Sequence, residues 1–169
     1  FKEDGSIREW VGTCIDITER KKIEEHINEE LVRKRALFES IGDGVIAMDK
    51  NGKIMDLNKK TEGIFGWKTD EVLGKSLFTE FKLADEQGKI IPKNLRPIQL
   101  AITTGQIGHG IYFLVKRGME KIPLFITSAP VILEGKIIGA VNIYRDVTQQ
   151  VATDRAKDDF LYFASHTLR

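Results

Sequence analysis

The sequence predicts an α+β domain in which short helices lie on one face of an antiparallel sheet. Two observations point to this class. First, apolar runs flank the pair Asn51-Gly52, which is the strongest short signal for a β-hairpin. Second, a set of short helical segments is followed by three β-rich runs joined by turns, at residues 107–116, 122–133 and 136–146. Strands and helices that segregate along the chain in this way are typical of an α+β fold.

The composition is that of an ordinary globular chain. The 169 residues are 41% apolar and carry 26 basic and 25 acidic side chains, so the formal net charge is +1. Such a balance offers no electrostatic attraction for nucleic acid or an anionic membrane. No apolar run approaches the roughly 20 residues of a membrane span, and any anchor is expected upstream in a longer parent chain. Cys14 is the only cysteine, which excludes an internal disulfide and a cysteine-based zinc site. A single cysteine fits a reducing cytoplasm, which is the expected location.

A short internal repeat frames the chain. The stretch GSIREWVGTCIDIT, residues 5–18, aligns without a gap with GKIIGAVNIYRDVT, residues 135–148. Each predicts the last strand of a hairpin. Each is followed by the spacing of a helix capping box, Asp16 with Glu19 and Asp146 with Gln149. We therefore expect residues 1–18 to be the end of a preceding domain of the same kind. The alternative is that two strand-to-helix junctions resemble each other by chance.

A charged helical linker is predicted over residues 19–37, between the first repeat and the central domain. Ile23, Ile27 and Leu37 fall on one seam in heptad register, although charged residues interrupt that seam. A helix buries such a stripe against another helix, and we expect a coiled-coil-like pairing in a parallel homodimer. The alternative is that the helix packs on its own domain.

The central domain is predicted over residues 38–148, and its first half contains the hairpin and several short helices. Both residues of the Asn51-Gly52 turn are expected to take positive φ. Asn58 is placed to cap the first short helix and Thr69 to cap the second. The glycines predicted to break the helical segments are Gly63, Gly66 and Gly74.

The second half of the domain continues with a loop, a helix and the three β-rich runs. The polar residues 82–93 are predicted to form the loop. Residues 96–105 are predicted to form a helix, with Pro97 in its first turn and Gly105 just past its end. With the two strands of the hairpin, the domain is expected to hold five strands.

The order of these elements and several short motifs resemble a PAS sensor domain. The motifs are DGVIAMDKNGKI, the run N…FGW…EVLGKSL and the closing DVT. The resemblance covers residues 38–148 and implies a five-stranded antiparallel sheet that cups a small-molecule pocket under its helices. It also implies that Asp49 is a turn-closing acceptor, and that Asp146 and Thr148 mark the junction between the last strand and an output helix.

The resemblance implies that one face of the last three strands is the pocket wall. Strand alternation places Leu124, Ile126 and Ser128 together on one face. These residues either surround an unidentified small-molecule ligand or simply fill the core. The residues expected on the wall are Ile111, Phe113, Leu124, Ile126, Ser128, Ala140, Asn142 and Tyr144.

A bound flavin, haem or metal ion is not expected. A photoreactive flavin site of the LOV kind needs a cysteine beside the ring, and Cys14 lies outside the central domain. A haem-binding PAS domain needs a ligand such as histidine on its long helix, and residues 96–105 contain none. His26 and His109 have no second ligand at metal spacing.

The final helix is predicted over residues 149–169 and ends in DFLYFASHTLR. This run resembles the H-box of sensor histidine kinases, in which Phe, Ser-His, Leu and Arg recur at the same spacing. The resemblance implies that the imidazole of His166 attacks the γ-phosphate of ATP and passes the phosphoryl group to a response regulator. His166 lies off the apolar stripe of the helix, so it should face outward. Thr167 stands where the family usually has an acid, which puts phosphatase activity in doubt.

The sequence therefore indicates the signal-sensing region of a two-component sensor histidine kinase. ATP and Mg²⁺ would bind to a catalytic domain elsewhere in the parent chain, so we expect no catalysis by these residues alone. The partners implied are a second copy of the chain and a response regulator. The alternative function is an interaction module of a non-kinase regulator, such as a cyclase or a transcription factor.

Overall fold

The computed structural model describes residue 12 and residues 15–115 and 121–167, and it describes all side chains in these ranges except 159, 160 and 162–167. The chain divides into two compact units, Phe1–Phe38 and Glu39–Arg169. The hairpin expected within residues 1–18 and the turn expected at residues 117–120 fall outside the described residues. Within the described part of the chain, no helix combines the length and apolarity needed to cross a bilayer.

Helix α1, Thr18–Ser40, covers the predicted linker and continues beyond it. It begins behind Asp16, whose Oδ1 accepts a hydrogen bond from the backbone N–H of Thr18 at 2.9 Å. Hydrogen bonds from the Thr18 side chain and backbone hold the pKa of Asp16 below its ordinary value. None of the residues of α1 is buried, and Ile23 and Ile27 are 55% and 53% exposed. The apolar stripe predicted on this helix is therefore exposed to solvent.

The domain is built on one antiparallel sheet, with the order β2-β1-β6-β5-β4-β3. The first strand pairs with the last, from Gly44 opposite Tyr144 to Asp49 opposite Gly139. This pairing brings the two ends of the domain together at one edge of the β1–β6 ladder. The strands are β1 Gly44–Asp49, β2 Ile54–Leu57, β3 Leu83–Ala84, β4 Gly108–Val115, β5 Lys121–Leu133 and β6 Lys136–Asp146.

The sheet has six strands, one more than the five expected. The additional strand is β3, in which Leu83 pairs with Leu114 and Ala84 with Phe113. Both residues of β3 are buried. They lie within the polar stretch predicted as a loop. The sequence does not predict this strand, because two residues are too few to show an alternating pattern. Its pairing depends on β4, which comes later in the chain.

The hairpin between β1 and β2 is confirmed, but its turn differs from the expected type. Only Gly52 has a positive φ, at 84°, whereas Asn51 does not. Instead, Asp49 closes the turn: its Oδ1 accepts the backbone N–H of Asn51 at 2.8 Å and its carbonyl accepts that of Gly52 at 3.0 Å. A two-residue turn with positive φ at both positions occurs between β5 and β6, at Glu134 and Gly135.

The short helices lie between β2 and β4 in the chain, and three of their ends match the expected signals. Asn58 caps the first helix, Pro97 begins the last, and Gly105, at φ 72°, ends it. The prediction that Thr69 caps the second helix is wrong, because the N-cap is Lys68. Thr69 donates its backbone N–H and its hydroxyl to Glu62 Oε1, at 2.8 and 2.7 Å. The helices are α2 Lys59–Phe65, α3 Thr69–Val72, α4 Leu77–Glu80 and α5 Pro97–Thr104, with a 3-10 turn at Lys93–Leu95.

The core lies between the inner face of the sheet and these helices. The sheet contributes residues such as Ile46, Leu124 and Ile126, and the helices contribute Phe65 and Ile98, all nine-tenths buried or more. Complete burial of one such aliphatic side chain stabilises the fold by about 1.5–3 kcal/mol. After β6 the chain continues directly into helix α6, Thr148–Thr167.

Candidate functional site

Five of the residues expected on the pocket wall are buried together on the inner face of the sheet. Leu124, Ile126 and Ser128 project from β5, and Asn142 and Tyr144 project from β6. Ser128 is paired with Asn142, and Ile126 with Tyr144, so directly opposite residues share this face. Ala140, also expected here, is fully buried on the same strand.

Ile111 and Phe113 lie on the opposite, outer face of the sheet. Ile111 is 54% exposed and stands opposite Phe125, whereas Tyr112 stands opposite the buried Leu124. The inner-face residues of β4 are therefore Tyr112 and Leu114, which contact the buried core. The pocket-wall positions expected in β4, Ile111 and Phe113, are therefore one residue out of phase with the inner face. Its sequence carries large apolar residues at both odd and even positions, so only pairing with β5 decides which side faces inward.

A chain of hydrogen bonds links the three polar residues of the inner face. The hydroxyl of Ser128 donates to Asn142 Oδ1 at 2.5 Å, and Asn142 Nδ2 donates to the hydroxyl oxygen of Tyr144 at 2.5 Å. Burial raises the pKa of the Tyr144 hydroxyl, although the bond from Asn142 and the charge of Arg96 act in the opposite direction. Tyr144 is therefore neutral at physiological pH, and the three hydrogen-bonded side chains carry no formal charge.

An aromatic cluster occupies the space in front of Tyr144. The rings of Phe65 and Phe81 meet the Tyr144 ring edge-on, with centroids 5.0 and 5.5 Å away. Phe65 also contacts Trp67, at 4.7 Å. Edge-to-face pairs of this kind each contribute about 0.5–1.5 kcal/mol beyond their burial. In this structure the rings fill the inner part of the expected pocket.

A cleft of about 530 Å³ is lined in part by Phe65. Phe65 thus belongs both to this cleft and to the aromatic cluster around Tyr144. The lining also includes Glu71, Lys75 and Glu80, so the cleft presents both signs of charge. The remaining lining residues are Gly66, Trp67, Val72, Leu114 and Val115.

Arg96 is a buried cation near this site that the sequence patterns did not reveal. It is 6% exposed, and it donates from Nε to the carbonyl of Ile91 at 3.1 Å and from Nη1 to that of Phe81 at 2.7 Å. Burial lowers its pKa, and the neighbouring Tyr144 raises it. The side chain thus holds the loop before α5 against the end of α4. Sequence periodicity identifies Arg96 only as the residue before a helix, because the carbonyls it meets lie 5 and 15 positions earlier, in the preceding loop and at the end of α4.

The junction between β6 and α6 has the geometry that the repeat suggested. Asp146 Oδ1 accepts the backbone N–H of Thr148 at 2.9 Å and its hydroxyl at 2.6 Å. The same backbone bond joins Asp16 and Thr18 at the start of α1. Both helices thus begin with the same Asp-x-Thr cap. Asp146 and Asp16 accept from Thr rather than forming the longer-spaced capping boxes proposed with Gln149 and Glu19.

Helix α6 includes His166 in its last turn. The orientation of the His166 side chain lies outside the described side chains, so the expectation that it faces outward stays a prediction. His109 is exposed on β4, with its ring 6.0 Å from that of Phe125. Among the described residues, no group of three or more His, Cys, Asp or Glu side chains is arranged to hold a metal ion.

Comparison with known proteins identifies the fold family and two kinds of relative. The chain matches the PAS fold family over residues 33–147. It is 25% identical over 166 residues to the probable diguanylate cyclase DgcE of Escherichia coli strain K12, covering 98% of this chain and 15% of that protein. It is 23% identical over 153 residues to the sensor protein kinase WalK of Staphylococcus aureus strain Newman, covering 88% of this chain and 23% of that protein.

The fold is also that of a solved PAS structure. The crystal structure of the PAS domain of an HTR-like protein from Haloarcula marismortui superimposes with a TM-score of 0.55 and 23% sequence identity, over 75% of this chain and 98% of that one. The chain spans less than a quarter of the length of either curated relative, at 15% and 23%. Order of elements, family match and superposition agree: the chain belongs to the PAS fold family, and its central unit is a sensory PAS domain.

Proposed function

We propose that this chain is the sensory region of a two-component sensor histidine kinase in which His166 is the phosphoacceptor. The observation that carries the proposal is the sequence FASHTLR, whose first five residues lie in α6, the helix that follows directly after the last strand of the PAS domain. A conformational change in the domain would then reach the phosphoacceptor along one helix. The similarity to WalK, a sensor protein kinase, supports this assignment.

The chemistry proposed for His166 is phosphoryl transfer to a ring nitrogen. A neutral imidazole is a nucleophile near pH 7, because its ordinary pKa is about 6.5. Its nitrogen forms a bond to the γ-phosphorus of ATP while the bond to the bridging oxygen breaks and ADP leaves. A response-regulator aspartate then receives the phosphoryl group. ATP and Mg²⁺ belong to a catalytic domain elsewhere in the parent chain.

The test uses the parent chain with its catalytic domain and γ-labelled ATP. The protein should gain a phosphoryl group that is labile to acid and stable to alkali, as expected of phosphohistidine. His166→Gln should abolish the label without loss of stability, because His166 is expected to face outward and changes at exposed sites cost little. His109→Gln is the matched control and should label normally. If His166→Gln labels as well as the wild type, His166 is not the phosphoacceptor.

A cyclase is the second candidate, because DgcE aligns with 98% of this chain. In a cyclase parent, the same α6 would connect the PAS domain to a different catalytic domain. The labelling experiment separates the two functions. A cyclase parent would form a cyclic diguanylate and leave His166 unlabelled.

We further propose the organisation of the chain around this function. Residues 1–18 end a preceding PAS domain, residues 19–37 are a helical linker, residues 38–148 are the sensory domain and residues 149–169 begin the phosphoacceptor helix. Two copies associate in parallel through α1 and α6, in the cytoplasm, and a response regulator is the downstream partner.

The proposed ligand site is the inner wall of the sheet, at Leu124, Ile126, Ser128, Asn142 and Tyr144. A few polar groups on an otherwise apolar wall are typical of small-molecule sites. Because Phe65 lines the cleft and its ring also packs on Tyr144, we expect a ligand that enters from the cleft to displace this ring before it reaches the polar side chains. The alternative, that these side chains only fill the core, predicts no ligand at all.

A further inference from the structure

Asp43 and Arg145 form an ion pair between the two ends of the PAS domain. Arg145 Nη2 lies 2.8 Å from Asp43 Oδ2, and Arg145 Nε lies 3.1 and 3.3 Å from Asp43 Oδ2 and Oδ1. The two residues are 102 positions apart in the chain. This two-nitrogen geometry fixes orientation as well as distance, unlike most surface ion pairs.

On one side, the pair is anchored to the segment that leads into β1, residues 41–43. Asn58 Nδ2 donates to the carbonyls of Ile41 and Asp43, at 3.5 and 3.0 Å. Asn58 Oδ1 accepts the backbone N–H of Val45 at 2.9 Å. The lead-in segment, residues 41–43, is therefore fastened to α2 by one buried side chain and to β6 by the ion pair.

On the other side, the pair adjoins the start of α6. Arg145 directly precedes Asp146, whose carboxylate caps α6 through Thr148. The backbone N–H of Val147 donates to the carbonyl of Pro123 at 3.1 Å, and Val151 donates to Val147 at 2.9 Å within the first turn. A displacement of Arg145 would thus act on the cap residue next to it.

We infer that the Asp43–Arg145 ion pair couples the lead-in segment to the first turn of α6. Strain on one side of the pair changes the stability of the hydrogen bonds on the other side. Because such coupling is reciprocal, a perturbation of α6 must reach Val45 as readily as a perturbation of the lead-in segment reaches Val151. The inference does not depend on which catalytic domain follows α6.

The test is amide hydrogen exchange of the 169-residue chain, measured residue by residue by NMR. Thr148→Val removes the hydroxyl bond to Asp146 and should accelerate exchange at both Val151 and Val45. The expected change at Val45 is about two- to fivefold, the range set by one ion pair of ordinary surface strength. In an Arg145→Gln background, Thr148→Val should still accelerate Val151 but leave Val45 unchanged.

Three variants control the experiment. Thr148→Ser keeps the hydroxyl and should leave both amides near their wild-type rates. Arg20→Gln breaks an exposed ion pair within α1, with Glu24 at 3.0 Å, and should not change the response of Val45 to Thr148→Val. The charge swap Asp43→Arg with Arg145→Asp should restore the transmission that Arg145→Gln removes. The inference is overturned if Thr148→Val affects Val45 equally with and without Arg145, or affects it in neither case.

Discussion

At the scale of single residues, the domain depends on a few polar side chains. They form hydrogen bonds with backbone N–H and C=O groups. Asn58 is fully buried, caps α2 through Thr61 at 3.1 Å, and bonds the backbone of Val45 and Asp43. Removing one partner from such a network leaves buried groups unsatisfied, at a cost of about 1–3 kcal/mol each. This explains why a polar residue occupies a position with no access to solvent.

Gly139 provides the sharpest prediction at this scale. A Cβ atom added to Gly139 would lie 2.1 Å from the backbone carbonyl oxygen of Met48, so β1 and β6 would have to separate. Gly139→Ala should lower the free energy of unfolding by at least about 1–3 kcal/mol, as overpacked cores do. Urea denaturation followed by circular dichroism measures this change.

Gly63→Ala is the matched control for that substitution. Gly63 lies inside α2 and does not break the helix as predicted, and a Cβ atom there meets nothing within 4 Å. Alanine should stabilise the helix by about 0.5–1 kcal/mol, because glycine loses more backbone entropy on folding. Equal effects of the two substitutions would contradict the close approach at Gly139.

At the scale of elements, helices α1 and α6 begin with the same cap, but the sequence predicts different roles for them. Helix α1 follows Asp16 and α6 follows Asp146, and each Asp accepts the N–H of the Thr two residues on. Such a cap sets where a helix starts, because it satisfies one of the free N–H groups of the first turn. It does not determine the partner that the helix contacts.

The prediction at this scale is that α1 contributes to a homodimer. Ile23 and Leu37 are 55% and 62% exposed. Ile23→Asp combined with Leu37→Asp places two charges on the apolar seam and should shift the chain from dimer to monomer. Sedimentation equilibrium over a range of concentrations measures the change.

A second pair of substitutions controls for the added charge. Met55 and Ile132 are similarly exposed, at 64% and 57%, and lie in β2 and β5. Met55→Asp combined with Ile132→Asp should leave the dimer intact. A wild-type chain that stays monomeric at high concentration would contradict the prediction.

At the scale of the whole domain, the sheet order decides what the interior can hold. The central position of β6 and β5 places Tyr144 and Ser128 in the middle of the inner face. The rings of Phe65 and Phe81 pack on Tyr144. His109, in contrast, is exposed on the outer side of β4. Among the described residues, the inner face of β5 and β6 therefore presents apolar and neutral polar groups, whereas the buried cation Arg96 belongs to the start of α5.

We accordingly expect the chain to be purified without flavin or haem. The aromatic cluster fills the inner pocket, and Cys14 lies outside the PAS domain. Absorption spectra of the purified protein measure its flavin and haem content. Expression with added riboflavin or haem precursor ensures that cofactor supply does not limit binding. A yellow or red protein with stoichiometric chromophore would contradict the expectation.

The elements that the sequence alone determined are those whose signals are local. The hairpin at Gly52, the Asn58 cap, and the start and end of α5 at Pro97 and Gly105 all match their predictions. Each depends on a φ angle or on a hydrogen bond between residues a few positions apart. The number and order of such signals were also enough to indicate the PAS fold.

Features that depend on pairing between distant residues follow from the tertiary structure and not from local signals. β3 exists because Leu83 meets Leu114, and Ile111 faces outward because β4 takes its register from β5. Arg96 is buried because carbonyls of other turns accept its hydrogen bonds. A local pattern carries no information on a partner that lies tens of residues away, whereas register and burial are set by that partner. The face of each strand, and hence the composition of the pocket wall, therefore follows from the assembled sheet.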